Sequence, residues 1–159
     1  MNRLLETSPA PSATPHAGMD TLGLQFHHLG LAVRKPEDAR RFLTAMGYRV
    51  GDVVFDPEQN VNLHMCTHDV MPGVEIIYPG ESGKTPVDRL LARHDSGIVY
   101  HVCYRTDDLA GALAAMAEAG LRTLCVSPPK PAILFGGERV SFYMVDGFGL
   151  IEIIEMAGQ

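Results

Sequence analysis

Phe26-His27-His28-Leu29-Gly30-Leu31-Ala32-Val33 and Gly97-Ile98-Val99-Tyr100-His101-Val102-Cys103-Tyr104 are two apolar stretches with a histidine inside each, and sliding the chain by 73 residues lays His28 on His101. Both read as strands. The same shift places Ala39 on Ala112, Gly47 on Gly120 and Arg49 on Arg122, so the segment after each strand repeats as well. After the first strand, Pro36 opens a helix with Glu37 and Asp38 near its N-terminus. Ala39, Phe42, Leu43 and Met46 recur at helical spacing, and Gly47 closes the helix. Strands are predicted over 48–55, 61–67 and 73–78, then a Pro79-Gly80 turn and a short helix over about 86–93. After the second strand, Asp107-Asp108 starts a helix that runs to Ala119 and is closed by Gly120. A strand over 121–126, a proline-rich loop from Ser127 to Pro131 leading to Gly136-Gly137, and strands over 139–145 and 150–155 complete the chain. Two copies of one β-α-β-β-β unit predict an α+β fold. Its tandem modules, about 24–80 and 97–156, would form a curved mixed sheet around their pseudo-twofold axis.

At 159 residues the chain is long enough for one domain with a sizeable core, and 24–156 is expected to be that domain. Residues 1–23, rich in Pro, Ser, Ala and Thr without helical or strand periodicity, read as a flexible leader. Lys and Arg total 13 against 19 Asp and Glu, which argues against nucleic acid as a partner. No apolar run approaches the ~20 residues of a membrane span. The start, Met1-Asn2-Arg3-Leu4-Leu5-Glu6, lacks a secretory signal's apolar stretch, so a cytoplasmic location is expected. Cys66, Cys103 and Cys125 have neither the number of a disulfide framework nor the CxxC spacing of a zinc knuckle.

Each half opens with a strand histidine and closes with a strand glutamate: His28 precedes Glu75 by 47 residues, and His101 precedes Glu152 by 51. Both glutamates stand among Val and Ile, in Val74-Glu75-Ile76-Ile77 and Ile151-Glu152-Ile153-Ile154. A carboxylate in such a strand either points outward by alternation or is buried, and burial is costly unless it is paired or bound to a cation. Equivalent residues in equivalent strands favour the second reading, in which His28, Glu75, His101 and Glu152 hold one divalent metal ion (Co, Ni, Zn, Mn or Fe). His27, by alternation, would point to the opposite face and be structural.

These motifs resemble the vicinal oxygen chelate superfamily and, within it, the methylmalonyl-CoA epimerases. His27-His28-Leu29-Gly30-Leu31-Ala32-Val33 is similar to that family's opening His-x-Gly-Ile-Ala-Val strand, and Val74 to Pro79 to its second ligand strand. The stretch from Gly97 to Asp108, with its Arg-x-Asp-Asp ending, is similar to the third, and Gly149 to Ile153 to the fourth. The resemblance implies a vicinal oxygen chelate fold and a metal-dependent epimerase or isomerase acting through an enolate on a carbonyl or acyl-CoA thioester. A proton would be moved by Glu152 on one side and by Glu75 or His64 on the other. The chain departs from the pattern at Leu63, where some members carry a carboxylate base; His64 is the nearest substitute. It departs again at Met144-Val145-Asp146-Gly147, where the epimerases have a His-Pro-Lys turn. A glyoxalase I-like lyase acting on a thiol–aldehyde adduct shares the His/Glu/His/Glu order, and non-catalytic small-molecule binding proteins and ring-cleaving dioxygenases share the fold. The loop from Pro128 to Gly137 is placed to close over substrate, and long sheet edges predict a homodimer.

Overall fold

The computed structural model describes residues 21–156; the expected leader lies outside them except for 21–23. Its elements are β1 (Gln25–Ala32), α1 (Glu37–Ala45), β2 (Arg49–Val50), β3 (Val54–Asp56), β4 (Val61–Thr67), β5 (Gly73–Pro79), α2 (Asp88–Leu91), β6 (Ile98–Thr106), α3 (Leu109–Glu118), β7 (Thr123–Pro131), a 3-10 turn (Ile133–Phe135), β8 (Arg139–Val145) and β9 (Gly149–Glu155). The strands form one nine-stranded mixed sheet in the order β2-β4-β5-β1-β6-β9-β8-β7, with β3 beside β4. This is the expected α+β vicinal oxygen chelate architecture. The order reads the same from either end. β1 and β6 run antiparallel down the middle, each flanked on its outer side by a parallel strand, β5 and β9.

Each helix covers the outer face of its own half. Leu43 of α1 packs with Val33, Cys66, Val74 and Ile76; Leu109, Ala112 and Met116 of α3 pack with Tyr143, Ile151 and Ile153. Alternation therefore sends Ile76 and Ile153 toward the helices and Glu75 and Glu152 the other way. All four side chains are nonetheless buried, because the inner face of the sheet is covered too. Gly47 and Gly120, equivalent under the repeat, take φ of 92° and 75° just beyond α1 and α3, where the chain must turn back through left-handed backbone.

Three expectations about elements need correction. The single strand over 48–55 is two, β2 and β3, because the register against β4 slips by one residue between Val50–Cys66 and Val54–Leu63 and interrupts the ladder at 51–53. Only α2 is helical within 86–93. The proline-rich stretch to Pro131 is not a loop: β7 runs through it, with Lys130 opposite Val140 and Pro131 opposite Arg139. Prolines are tolerated there because β7 is an edge strand that needs partners on one side only.

Candidate metal centre

Four neighbouring strands each deliver one side chain to the middle of the inner face: His28 from β1, Glu75 from β5, His101 from β6 and Glu152 from β9. Strand register sets this convergence, since Gly30 stands opposite both Glu75 and His101, and Cys103 opposite both His28 and Glu152. Nε2 of His28 lies 3.2 Å from Oε2 of Glu75, 3.3 Å from Oε2 of Glu152 and 3.4 Å from Nε2 of His101. Nε2 of His101 is 3.6 Å from Glu75 and 3.3 Å from Glu152. None of the four residues is more than 4% exposed.

Donors on one divalent ion, each about 2.0–2.2 Å from it, stand about 3–3.6 Å apart, so the spacing suits a shared ion. A second observation agrees. Oε2 of Glu152 is buried and makes no hydrogen bond among the described residues, although two imidazole nitrogens stand 3.3 Å from it. The electrostatics call for a cation. Burial works against protonating His28, but Glu152 and Glu75 together outweigh it and push the imidazole up to about 9. Burial alone would raise Glu152, yet the His101 and His28 rings hold it down at about 2, while burial carries Glu75 upward. Without a metal, a proton on His28 is the positive charge these carboxylates gather around.

Backbone irregularity builds the rest of the site. Between Phe26 and His28 the β1–β6 register slips by one residue at His27, and it slips again at Tyr100 between the pairs Gly30–His101 and Leu31–Val99. In a bulge, two residues face one on the partner strand and alternation fails locally. His27 accordingly does not turn to the opposite face: its Nδ1 lies 2.7 Å from Nδ1 of His28. Burial lowers the pKa of His27, and the neighbouring His28 and Arg105 add to the effect. Tyr100 lies edge-on to His101 with ring centres 4.6 Å apart, and burial followed by the two glutamates raises its phenol, so it stays protonated. Phe135 stacks over His28 at 5.8 Å and Phe142 meets His101 edge-on at 5.7 Å. The sequence reading missed Tyr100, Phe135 and Phe142; for Tyr100 the available signal was its repeat equivalence to His27.

His64 is not brought to the centre. On β4, Val61 and Leu63 face inward and His64 faces the side of α1, where Nδ1 donates to the Gly51 carbonyl at 2.9 Å and the Tyr78 hydroxyl reaches Nε2 at 3.4 Å. Its neighbour Leu63 is the one that lines the inner cavity, with Glu75, His101, Glu152, Tyr100 and Phe135. That cavity is only about 30 Å³, room for one or two waters. It adjoins a larger one of about 340 Å³, bordered by Tyr100 and Phe142 and carrying Glu58 and Lys130 on its wall.

The family model of the glyoxalase/bleomycin resistance protein/dioxygenase superfamily matches residues 27–142, a span that holds three of the four converging side chains. The chain belongs to that superfamily. Among superfamily members it is 28% identical over 109 residues to the ethylmalonyl-CoA/methylmalonyl-CoA epimerase of Cereibacter sphaeroides, covering 67% of this chain and 78% of that one. It is 30% identical over 122 residues to the mitochondrial methylmalonyl-CoA epimerase of Bos taurus, covering 76% of this chain and 68% of the relative. The crystal structure of methylmalonyl-CoA epimerase from Mycobacterium tuberculosis superposes with a TM-score of 0.65 at 17% identity, over 86% of this chain and 89% of that one, a likeness of fold. No helix among the described residues is long and apolar enough to cross a membrane.

Proposed function

We propose that this chain is a divalent-metal-dependent epimerase or isomerase that acts through an enolate on a carbonyl or acyl-CoA thioester substrate. The observation that carries the reading is the convergence of His28, Glu75, His101 and Glu152 on one buried point, with an unpartnered Glu152 oxygen facing it. The two epimerase relatives support the substrate class, since both are named for CoA thioesters with an acidic α-carbon.

A bound ion would polarise the substrate carbonyl and stabilise negative charge as it develops there. The chain's own residues do the rest. His28 and His101 hold the centre from the two middle strands. Glu152, whose Oε2 makes no hydrogen bond among the described residues, would take the α-proton on one face. Glu75 in the other module would deliver a different proton, one it already carries, to the opposite face, after which both exchange with water to reset the site. Tyr100, Phe135 and Phe142 exclude water. The inner cavity is too small for an acyl group, so substrate would arrive from the outer cavity as the 132–138 segment that carries Phe135 shifts. His64 drops out of this mechanism. A homodimer also belongs to this reading, supported by the outer edge of β7, which pairs with no strand among the described residues and has Leu124 and Val126 exposed on it; light scattering on purified protein tests it.

The deciding experiment incubates cobalt-loaded protein with racemic methylmalonyl-CoA in D₂O and follows deuterium at the α-carbon by mass spectrometry. Metal-dependent incorporation is expected. No incorporation by protein that demonstrably holds metal would overturn the acyl-CoA reading. It would then favour a glyoxalase I-like lyase, the alternative that Leu63 supports by leaving the inner cavity with only the metal-centre carboxylates and Asp56 at its edge.

A further inference from the structure

The imidazoles of the two modules present the same nitrogen to the centre but are held differently from behind. His28 directs Nε2 toward Glu75, Glu152 and His101, and its Nδ1 meets Nδ1 of His27 at 2.7 Å. Two ring nitrogens at that distance share one proton in a hydrogen bond. The separation is shorter than that of two donors on a common ion. His27, His28 and Cys103 form a compact donor group, but this contact makes His27 a partner of His28 rather than a ligand of a second ion. His101 has no such partner among the described residues: its Nδ1 is buried and makes no hydrogen bond with any of them.

Orientation is enforced from outside as well. Phe135 packs edge-on against His27 with ring centres 5.7 Å apart and lies nearly parallel to His28, at 27°, so one aromatic ring sets the planes of both imidazoles. The bulge at His27 puts it there; in a regular strand its ring would be on the other face.

We propose that His27 is a positioning residue for His28. It accepts the Nδ1 proton of His28, fixes the tautomer whose lone pair is on Nε2, and makes His28 the anchored imidazole of the centre and His101 the yielding one. The inference rests on the metal-site reading above.

The test titrates cobalt(II) into full-length wild-type protein and the His27→Phe and His27→Asn variants, against a competing chelator, while recording visible spectra. Phe keeps a ring against Phe135 but accepts no hydrogen bond; Asn supplies a carbonyl oxygen near the position of Nδ1. His27→Phe is expected to weaken cobalt binding about ten- to a hundredfold and shift the visible bands, with His27→Asn staying within about threefold of wild type. His27→Phe binding within about threefold of wild type, or His27→Asn falling as far as His27→Phe, would overturn the proposal. Wild-type protein that binds no cobalt would overturn the metal reading and this inference together, so the two failures are told apart by the wild-type titration.

Discussion

The two modules build one centre from the same parts and diverge at the residues next to those parts. His28 lies across the strand pair from Cys103, and His101 lies across from Gly30, positions that are themselves equivalent under the 73-residue shift. A Cβ at Gly30 would lie 2.1 to 2.4 Å from three ring atoms of His101, so only glycine lets that ring lie flat on the strand. Behind the rings the contrast reverses: His27 is within hydrogen-bond distance of Nδ1 of His28, whereas Nδ1 of His101 has no hydrogen-bond partner among the described residues and its ring meets Tyr100 only edge-on. Symmetry decides where donors arrive, and the non-equivalent neighbours decide how firmly each is held.

The sharpest way to break this comparison is at the glutamates. Glu152→Ala is expected to lower turnover by about 10²–10⁴ and to lose metal on dialysis; a variant that keeps full activity and its metal would remove Glu152 from the centre. Proton competition at His28 comes next. Its pKa of about 9 lies above the ordinary 6.5, so a metal must displace a proton. Affinity is therefore expected to fall about tenfold for each pH unit below about 9, and a flat profile from pH 7 to 9 would contradict it. The same shift acts on the metal-free fold: its stabilisation is complete below 6.5 and is lost as pH rises through 9, readable as a falling Tm.

Gly30→Ala should rank third, displacing His101 and costing about 1–3 kcal/mol in urea unfolding. Cys103→Ala, at the equivalent position, only removes a buried sulfur and should cost about 1 kcal/mol. Equal costs would show that the cradle under His101 is not special. The smallest effect belongs to His64→Ala. Steady-state rates should change less than about threefold, far short of an acid–base role, while the bare Gly51 carbonyl costs about 1–2 kcal/mol of stability. A large drop in kcat with unchanged stability would return His64 to the mechanism.

His28, Glu75, His101 and Glu152 were legible in the chain because each sits at the same place in a repeated unit, and a carboxylate between isoleucines demands an explanation that one dimension already poses. Helices α1 and α3 were legible for a similarly local reason, since their apolar spacing and closing glycines lie within a dozen residues. His27, Tyr100 and His64 were not. Alternation assigns faces only while the ladder is regular, and the slips at His27 and Tyr100 depend on how β1 meets β6, a partner about 70 residues away. His64 and Leu63 are adjacent, and both faces of β4 are buried, so hydrophobicity could not say which of them looks toward the centre. Pattern along the chain was enough to specify the module, its duplication and the four side chains that converge. Which neighbours stand behind those donors was settled in three dimensions, because it depends on strand register and on the packing of the 132–138 segment over the sheet.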